Sequence, residues 1–360
     1  MNSTDSFSRD YPDARAKFRA AAEAAGAALE SRAHPSPGPD GGDLTTDVAL
    51  IGEPAARRFL VMIAGTHGAE GFCGSGAMVD WLRRGEGERL PAGLAVLMIH
   101  AINPYGFAWL RRVTEDNVDL NRNWVDFSHP LPTNPGYDAL VHAAVPSRWD
   151  EASQRESAKS LHAYAREHGP MAMQEALGGG QYAHPGGIFY GGKASTWSRR
   201  TQSAIYEDYL GGAERVAIID YHTGLGPWGF GEQIVTDPPG SPGYARAKAW
   251  YGAAITSPSS GDSTSSDIKG DGLAAAPALL PRAEVTGMAL EVGTLSLAEV
   301  IDAVRADAWL HAHGDLASPQ GKTIKAQVRA AFFGDADDWK GMVAGQSLLA
   351  TRQAIKGLLS

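Results

Sequence analysis

The sequence predicts an α/β protein built on a largely parallel or mixed sheet with helices on both faces. Three observations carry that expectation. Short apolar runs of strand length recur, each bounded by glycine or polar turn residues. Segments with helical spacing alternate with them, as they do when parallel strands are joined by crossover helices. The runs are apolar at successive positions rather than at every second one, which is the pattern of strands covered on both faces.

Taken in order, residues 11–32 are Ala-rich with amphipathic spacing and predict a helix, followed by the Pro/Gly-rich loop 31–43 (SRAHPSPGPDGGD). Residues 47–52 (DVALIG) and 59–65 (FLVMIAG) predict two buried strands, and 74–84 a helix. Strands are expected again at 94–102, at 216–221 (VAIIDY), at 233–236 as an edge strand, and at 288–292 (MALEV). From about residue 322 the chain reads as helical and packs back on the sheet. Two regions break this rhythm. Residues 125–214 mix helical stretches with the glycine-rich 178–193 (GGGQYAHPGGIFYGGK), and 256–272 (TSPSSGDSTSSDIKGDG) is small and polar. Long segments of this kind either wall an active site or decorate the surface, and both readings stand for 256–272. The expected organisation is an N-terminal helix and linker over 1–43, then one catalytic domain over 44–360 with insertions at 125–214 and 256–272.

Composition narrows the function. The 360-residue chain is 43% hydrophobic with a formal net charge of −9, which argues against a nucleic-acid partner. Cys73 is the only cysteine, so intramolecular disulfides and thiolate metal clusters are excluded. A reducing, cytoplasmic setting is the expectation. The polar N-terminus lacks the basic start and apolar core of a signal peptide. No apolar stretch approaches the roughly 20 residues that span a bilayer, so no membrane association is expected.

Four segments carry chemistry. His67 and Glu70 lie three residues apart in a glycine-rich turn after a buried strand, where both side chains can face one ion. Residues 111–124 (RRVTEDNVDLNRNW) are too polar for a core and offer arginines able to grip a carboxylate or an oxyanion. A solvated loop is the plainer alternative. His222 ends a clean strand, with Asp220 two residues earlier on the same face, placed to hydrogen-bond a ligating imidazole. Glu291 interrupts the apolar run MALEV. Such a carboxylate either forms a buried ion pair or faces a cleft with a raised pKa that suits a general base. Two imidazoles and a carboxylate are the donor set of an open catalytic zinc site.

In this order, His67-x-x-Glu70, Arg112, Asp119-Leu-Asn-Arg-Asn123, His222 and Glu291 resemble the pattern of the zinc carboxypeptidase superfamily, which includes the aspartoacylase and succinylglutamate desuccinylase deacylases. The segments GTHGAEG, GGIFYGG, DYHTGLG and ALEVGT are similar to a bacterial branch of that superfamily long left without a function. The resemblance covers about residues 45–300. It implies a three-layer α/β/α sandwich around a mixed, mostly parallel eight-stranded sheet. It also implies one zinc ion held by His67, Glu70 and His222, with Glu291 as the base that activates water. Arg112 would stabilise the oxyanion, with Arg111 as the other candidate in the doublet. Asn121 and Arg122 would bind a free substrate carboxylate. Tyr244 and Tyr251 are candidates, by order alone, for the family's substrate-contacting tyrosine. The implied activity is carboxypeptidase-like cleavage of an amide bond beside a free carboxylate, on a small peptide. The alternatives are an N-acyl-amino-acid deacylase and an inert binding module on the same fold. A serine hydrolase using Ser75 is disfavoured, because CGSGA is not a G-x-S-x-G elbow. The oligomeric state is left open.

Overall fold

The computed structural model describes residues 2–360. Seven strands are present among the described residues: β1 (Ala28–Ala33), β2 (Thr45–Gly52), β3 (Arg58–Ala64), β4 (Leu94–His100), β5 (Arg215–Thr223), β6 (Gly231–Ile234) and β7 (Glu284–Val292). The helices up to β5 are α1 (Tyr11–Ala24), α2 (Gly71–Arg83), α3 (Pro104–Ala108), α4 (Pro135–Ala144), α5 (Glu151–His168), α6 (Pro170–Gly178) and α7 (Trp197–Leu210). After it come α8 (Pro242–Tyr251), α9 (Gly272–Leu279), α10 (Leu297–His313), α11 (Pro319–Phe332) and α12 (Asp337–Leu359).

The strands form one mixed sheet in the order β1-β2-β4-β3-β5-β7-β6. The central four, β4, β3, β5 and β7, are parallel, and the pairings of β1 with β2, β2 with β4 and β6 with β7 are antiparallel. This is the expected α/β sandwich. Side chains of β3 alternate between two cores, as a strand covered on both faces requires. Leu60, Met62 and Ala64 join α1, α2, α8 and α12 on one side. Phe59, Val61 and Ile63 join α7 and α9 on the other. A third apolar cluster, from α4, α6, α10 and α11, is built around Tyr137, Leu177, Trp309 and Phe332.

Two expectations need correction. The first helix ends at Ala24 instead of running to 32, because Gly26 takes a left-handed backbone (φ 71°) that stops it. Residues 28–33 then become β1, which pairs with β2 although its own side chains are largely exposed. The sheet also has seven strands, not eight. Beyond β6 the chain makes only the single bridge Ile234–Thr256. The next residues coil into a short 3₁₀ turn that starts at Pro258, which has no N–H to extend a ladder.

Candidate metal centre and its cavity

The site sits at the carboxyl ends of β3, β5 and β7, three neighbouring parallel strands, where ligands of open α/β sheets collect. After β3 a 3₁₀ turn, Gly68–Glu70, begins just past His67 and ends on Glu70. A β-carbon on Gly68 would lie 2.0 Å from the Gly106 carbonyl carbon, so only glycine lets this turn approach the next segment so closely. The contact is used: Gly68 and Ala69 N–H donate to the Arg112 and Arg111 carbonyls at 3.1 and 2.8 Å. The histidine–glutamate turn and the arginine doublet are thereby fixed to one another.

His222 arrives from β5 and stands opposite Glu291 of β7 in the strand register. The Nδ1 atoms of His67 and His222 face each other at 3.2 Å. Glu70 lies 3.0 Å from each, through Oε1 to His67 and Oε2 to His222. The three donor groups lie within 4.8 Å of one another, and all are buried. His222 Nε2 meets the Asp220 carboxylate at 3.0 Å, while His67 Nε2 lies 3.1 Å from Asp119 and 2.8 Å from Arg112 Nη2. A carboxylate only accepts, so Asp220 holds the His222 ring proton on Nε2 and turns that ring's Nδ1 lone pair inward. Two ring nitrogens 3.2 Å apart, each 3.0 Å from one carboxylate, need a proton or a cation among them. The donor set therefore fits a divalent metal, and His/His/Glu chemistry suits zinc.

The electrostatics agree. Burial opposes the Glu70 charge, but His67, His222 and Arg112 hold its carboxyl well below the ordinary range. Burial opposes protonation of His222, yet Asp220 and Glu70 raise it well above the usual imidazole value. Glu291 differs. Burial and the nearby Glu70 charge push it up to about 8. One of its oxygens accepts from Leu225 N–H at 3.0 Å.

Arg112 donates to Glu70 and to Asp119, each at 2.9 Å. Arg111 turns the other way, onto Asp307 of α10 at 2.9 Å and Asn117 at 2.8 Å. The doublet is thus resolved in favour of Arg112 as the one at the cluster. Arg122 is 4% exposed. Its Nη atoms reach the Asn121 and Gly178 carbonyls, and its Nε has no partner. Asn121 Oδ1 accepts from Gly272 N–H at 3.3 Å, which ties this loop to the start of α9.

A cavity of about 1410 Å³ opens over the cluster, and His67, Arg112, Asn121, Arg122, His222 and Glu291 all line it. Both interrupting regions contribute walls: Leu161 of α5 and Leu177 of α6 from one, Thr264 and Ile268 from the other. No tyrosine lines the cavity among the described residues. Tyr251 is buried in the core beneath α12, and Tyr244 packs against the same core, because α8 turns that face to the sheet. Neither lines the cavity. Ser75 is also fully buried, 2.9 Å from His100 and away from the cavity. Sequence reasoning gave no role to Asp119 or Thr66. Asp119 was visible inside D-L-N-R-N. Thr66, which donates to Asp220 at 2.8 Å, carries no sequence signal.

Fold and site together define an α/β protein with a buried His/Glu/His cluster, able to hold a metal ion, at the carboxyl ends of its parallel strands. The sequence matches the model of the family described as "Protein of unknown function (DUF2817)" over residues 7–346, and the chain belongs to that family. Comparison with curated protein sequences gives no match. Among solved structures, bovine thrombin-activatable fibrinolysis inhibitor is similar at 10% identity and TM-score 0.51, with 98% of this chain and 97% of that one covered. Carboxypeptidase A from Helicoverpa armigera aligns at 11% identity and TM-score 0.47, over 90% of this chain and 74% of that one. An aspartoacylase family protein from Mesorhizobium loti aligns at 15% identity and TM-score 0.38, over 81% and 68%. No helix of the described residues is long and apolar enough to cross a membrane.

Proposed function

We propose that this protein is a zinc-dependent hydrolase that cleaves an amide bond next to a free carboxylate. The observation that carries the reading is the convergence of His67, Glu70 and His222, donors facing inward, beside a buried Glu291 on a cavity that also holds Arg122. His67 and His222 through Nδ1, with Glu70, would hold the ion. A bound zinc supplies a Lewis acid for the carbonyl oxygen and brings the pKa of water towards about 7.

The chain's own groups do the rest. Glu291 takes a proton from the attacking water as its oxygen bonds to the carbonyl carbon, and returns that proton to nitrogen as the C–N bond breaks. Burial and the Glu70 charge push this carboxyl up to about 8, and a cation at Glu70 would bring it down to where it can both take and return a proton near neutral pH. Arg112 donates to the oxyanion that develops. Arg122, buried with an unpartnered Nε, pairs with the substrate's carboxylate, and Asn121 beside it completes the cradle. Short peptides with a free C-terminus and N-acyl amino acids both meet these requirements.

The test is metal content together with turnover of benzoyl-glycyl-phenylalanine, its C-terminal amide and N-acetyl-aspartate. Wild type is expected to bind about one zinc per chain and to prefer the free acid to the amide. Glu291→Gln should keep the metal and lose about 10²–10⁴-fold in kcat. A folded, metal-free wild-type chain would instead favour an inert binding module.

A further inference from the structure

The glycine-rich segment around 187–191, singled out by sequence and used by no step above, stands against the arginine loop. We infer that Phe189 is a positioning residue, its ring the shared platform that holds both Arg112 and Arg122 at the cavity; the inference rests on the hydrolase reading for its functional consequence. The Arg112 guanidinium carbon lies 5.2 Å from the Phe189 ring centroid, and that of Arg122 lies 5.3 Å from the same centroid. Phe189 is 7% exposed and lines the cavity itself. A cation over an aromatic face is attracted by the ring's quadrupole, most strongly where water is excluded.

Arg122 needs that support more than Arg112 does. Arg112 has two carboxylates at 2.9 Å. Arg122 has only Asp119 at 3.9 Å, two carbonyls and an unpartnered Nε. A ring face stabilises its charge without neutralising it, so the charge stays available to an incoming anion. A carboxylate in that place would close the ion pair internally and compete with substrate.

The backbone is arranged to deliver the ring. Asp119 N–H donates to the Tyr190 carbonyl at 2.8 Å, Asn123 Nδ2 to Gly191 at 2.8 Å and Asn117 Nδ2 to Gly187 at 2.9 Å. Gln181 N–H donates to the Phe189 carbonyl at 3.1 Å, and Ile188 N–H to Tyr137 Oη at 2.8 Å. Phe189 itself has φ 51°, an uncommon conformation for a residue with a side chain. The other two such residues among those described, Leu110 and Asn117, bracket the arginine doublet. Unfavourable backbone collects where a site over-determines it.

The test uses the full-length, metal-loaded protein. Phe189→Leu and Phe189→Met keep a β-carbon and most of the volume, so the backbone term is unchanged, while Phe189→Tyr keeps the ring. The first measurement needs no activity: side-chain ¹⁵N–¹H resonances of Arg112 and Arg122, identified with Arg112→Lys and Arg122→Lys. Ring-current shielding should be lost for both arginines in the Leu and Met variants and retained in the Tyr variant. The second is benzoyl-glycyl-phenylalanine hydrolysis, with circular dichroism and metal content as folding controls. Leu and Met variants should lose about fivefold in kcat through Arg112 and gain about fivefold in KM through Arg122, with Tyr restoring both. Unmoved arginine resonances overturn the platform. Moved resonances with unchanged kcat and KM overturn its role in positioning. If wild type hydrolyses none of the amides, the hydrolase reading fails and the resonances alone decide whether the ring holds the two guanidiniums.

Discussion

Replacing Asp220 by asparagine probes how the metal centre is held without touching a ligand. Asp220 accepts from His222 Nε2 at 3.0 Å, and its two oxygens accept from Thr66 Oγ1 at 2.8 and 2.9 Å. An asparagine has one acceptor and one donor where the aspartate had two acceptors. If its NH₂ faces His222, the ring must give up the Nε2 proton, place it on Nδ1, and lose its inward lone pair. If the amide turns over, Thr66 can accept from NH₂ and the ring keeps its tautomer, but the acceptor on Nε2 is now neutral. The first outcome removes a ligand and the second only weakens it. Outer partners of this kind are worth about 10–100-fold in metal affinity, or about 1.4–2.8 kcal/mol. The expectation for Asp220→Asn is a zinc Kd raised within that range. Competition against a calibrated chelator at pH 7.5 would measure it. The partner's loss also makes His222 less basic, so zinc binding should release fewer protons than in wild type. An unchanged Kd with unchanged proton release would refute the claim that Asp220 holds the ring for the metal.

Two further outcomes are expected. The kcat/KM profile should rise with pH as Glu291 loses its proton, with a midpoint below 8, because a cation at Glu70 offsets the negative charge that helps push Glu291 up; an acid limb that survives unchanged in Glu291→Gln would assign it to another group. Asp307→Asn should leave Arg111 and Lys325 buried without their anion and destabilise by about 3–5 kcal/mol, lowering Tm by roughly 4–7 °C in calorimetry at pH 7. Burial opposes the Asp307 charge, but Lys325, Arg111 and His311 hold the carboxyl below its ordinary value. Its contribution is thus complete above the unfolded carboxyl range and fades as pH falls through the folded value. The variant should accordingly show a smaller acid-induced loss of Tm than wild type.

The parts of the fold that read from sequence were those whose burial is recorded in the strand itself. β3, β4 and β5 are apolar along nearly their whole length because helices cover both faces. β1 was misread since its residues, ALESRA, are mostly exposed and its strand character comes from pairing with β2. The buried cluster was legible because His67 and His222 stand where apolar strands run out, with Glu70 in the turn that follows the first. Arg111 and Arg112 could not be told apart, because their roles depend on Asp307, 196 residues away from Arg111. The tyrosines of α8 misled for the same reason: chain order says nothing about which face of a helix meets the sheet. Phe189 had no separate signal, since a phenylalanine between glycines looks alike whether it fills a core or carries a guanidinium.

The distance between His67 and His222 along the chain has a consequence for synthesis. The two histidines are 155 residues apart, so a ribosome that has made half the protein has made only part of the His/Glu/His cluster. Until β5 emerges and settles against β3, Glu70 has Arg112 as a counter-ion and no second imidazole. An ion that needs all three residues could not template the early stages of folding. An ion held by these three residues would mark a chain already assembled through β5, which ends at Thr223 of 360 residues.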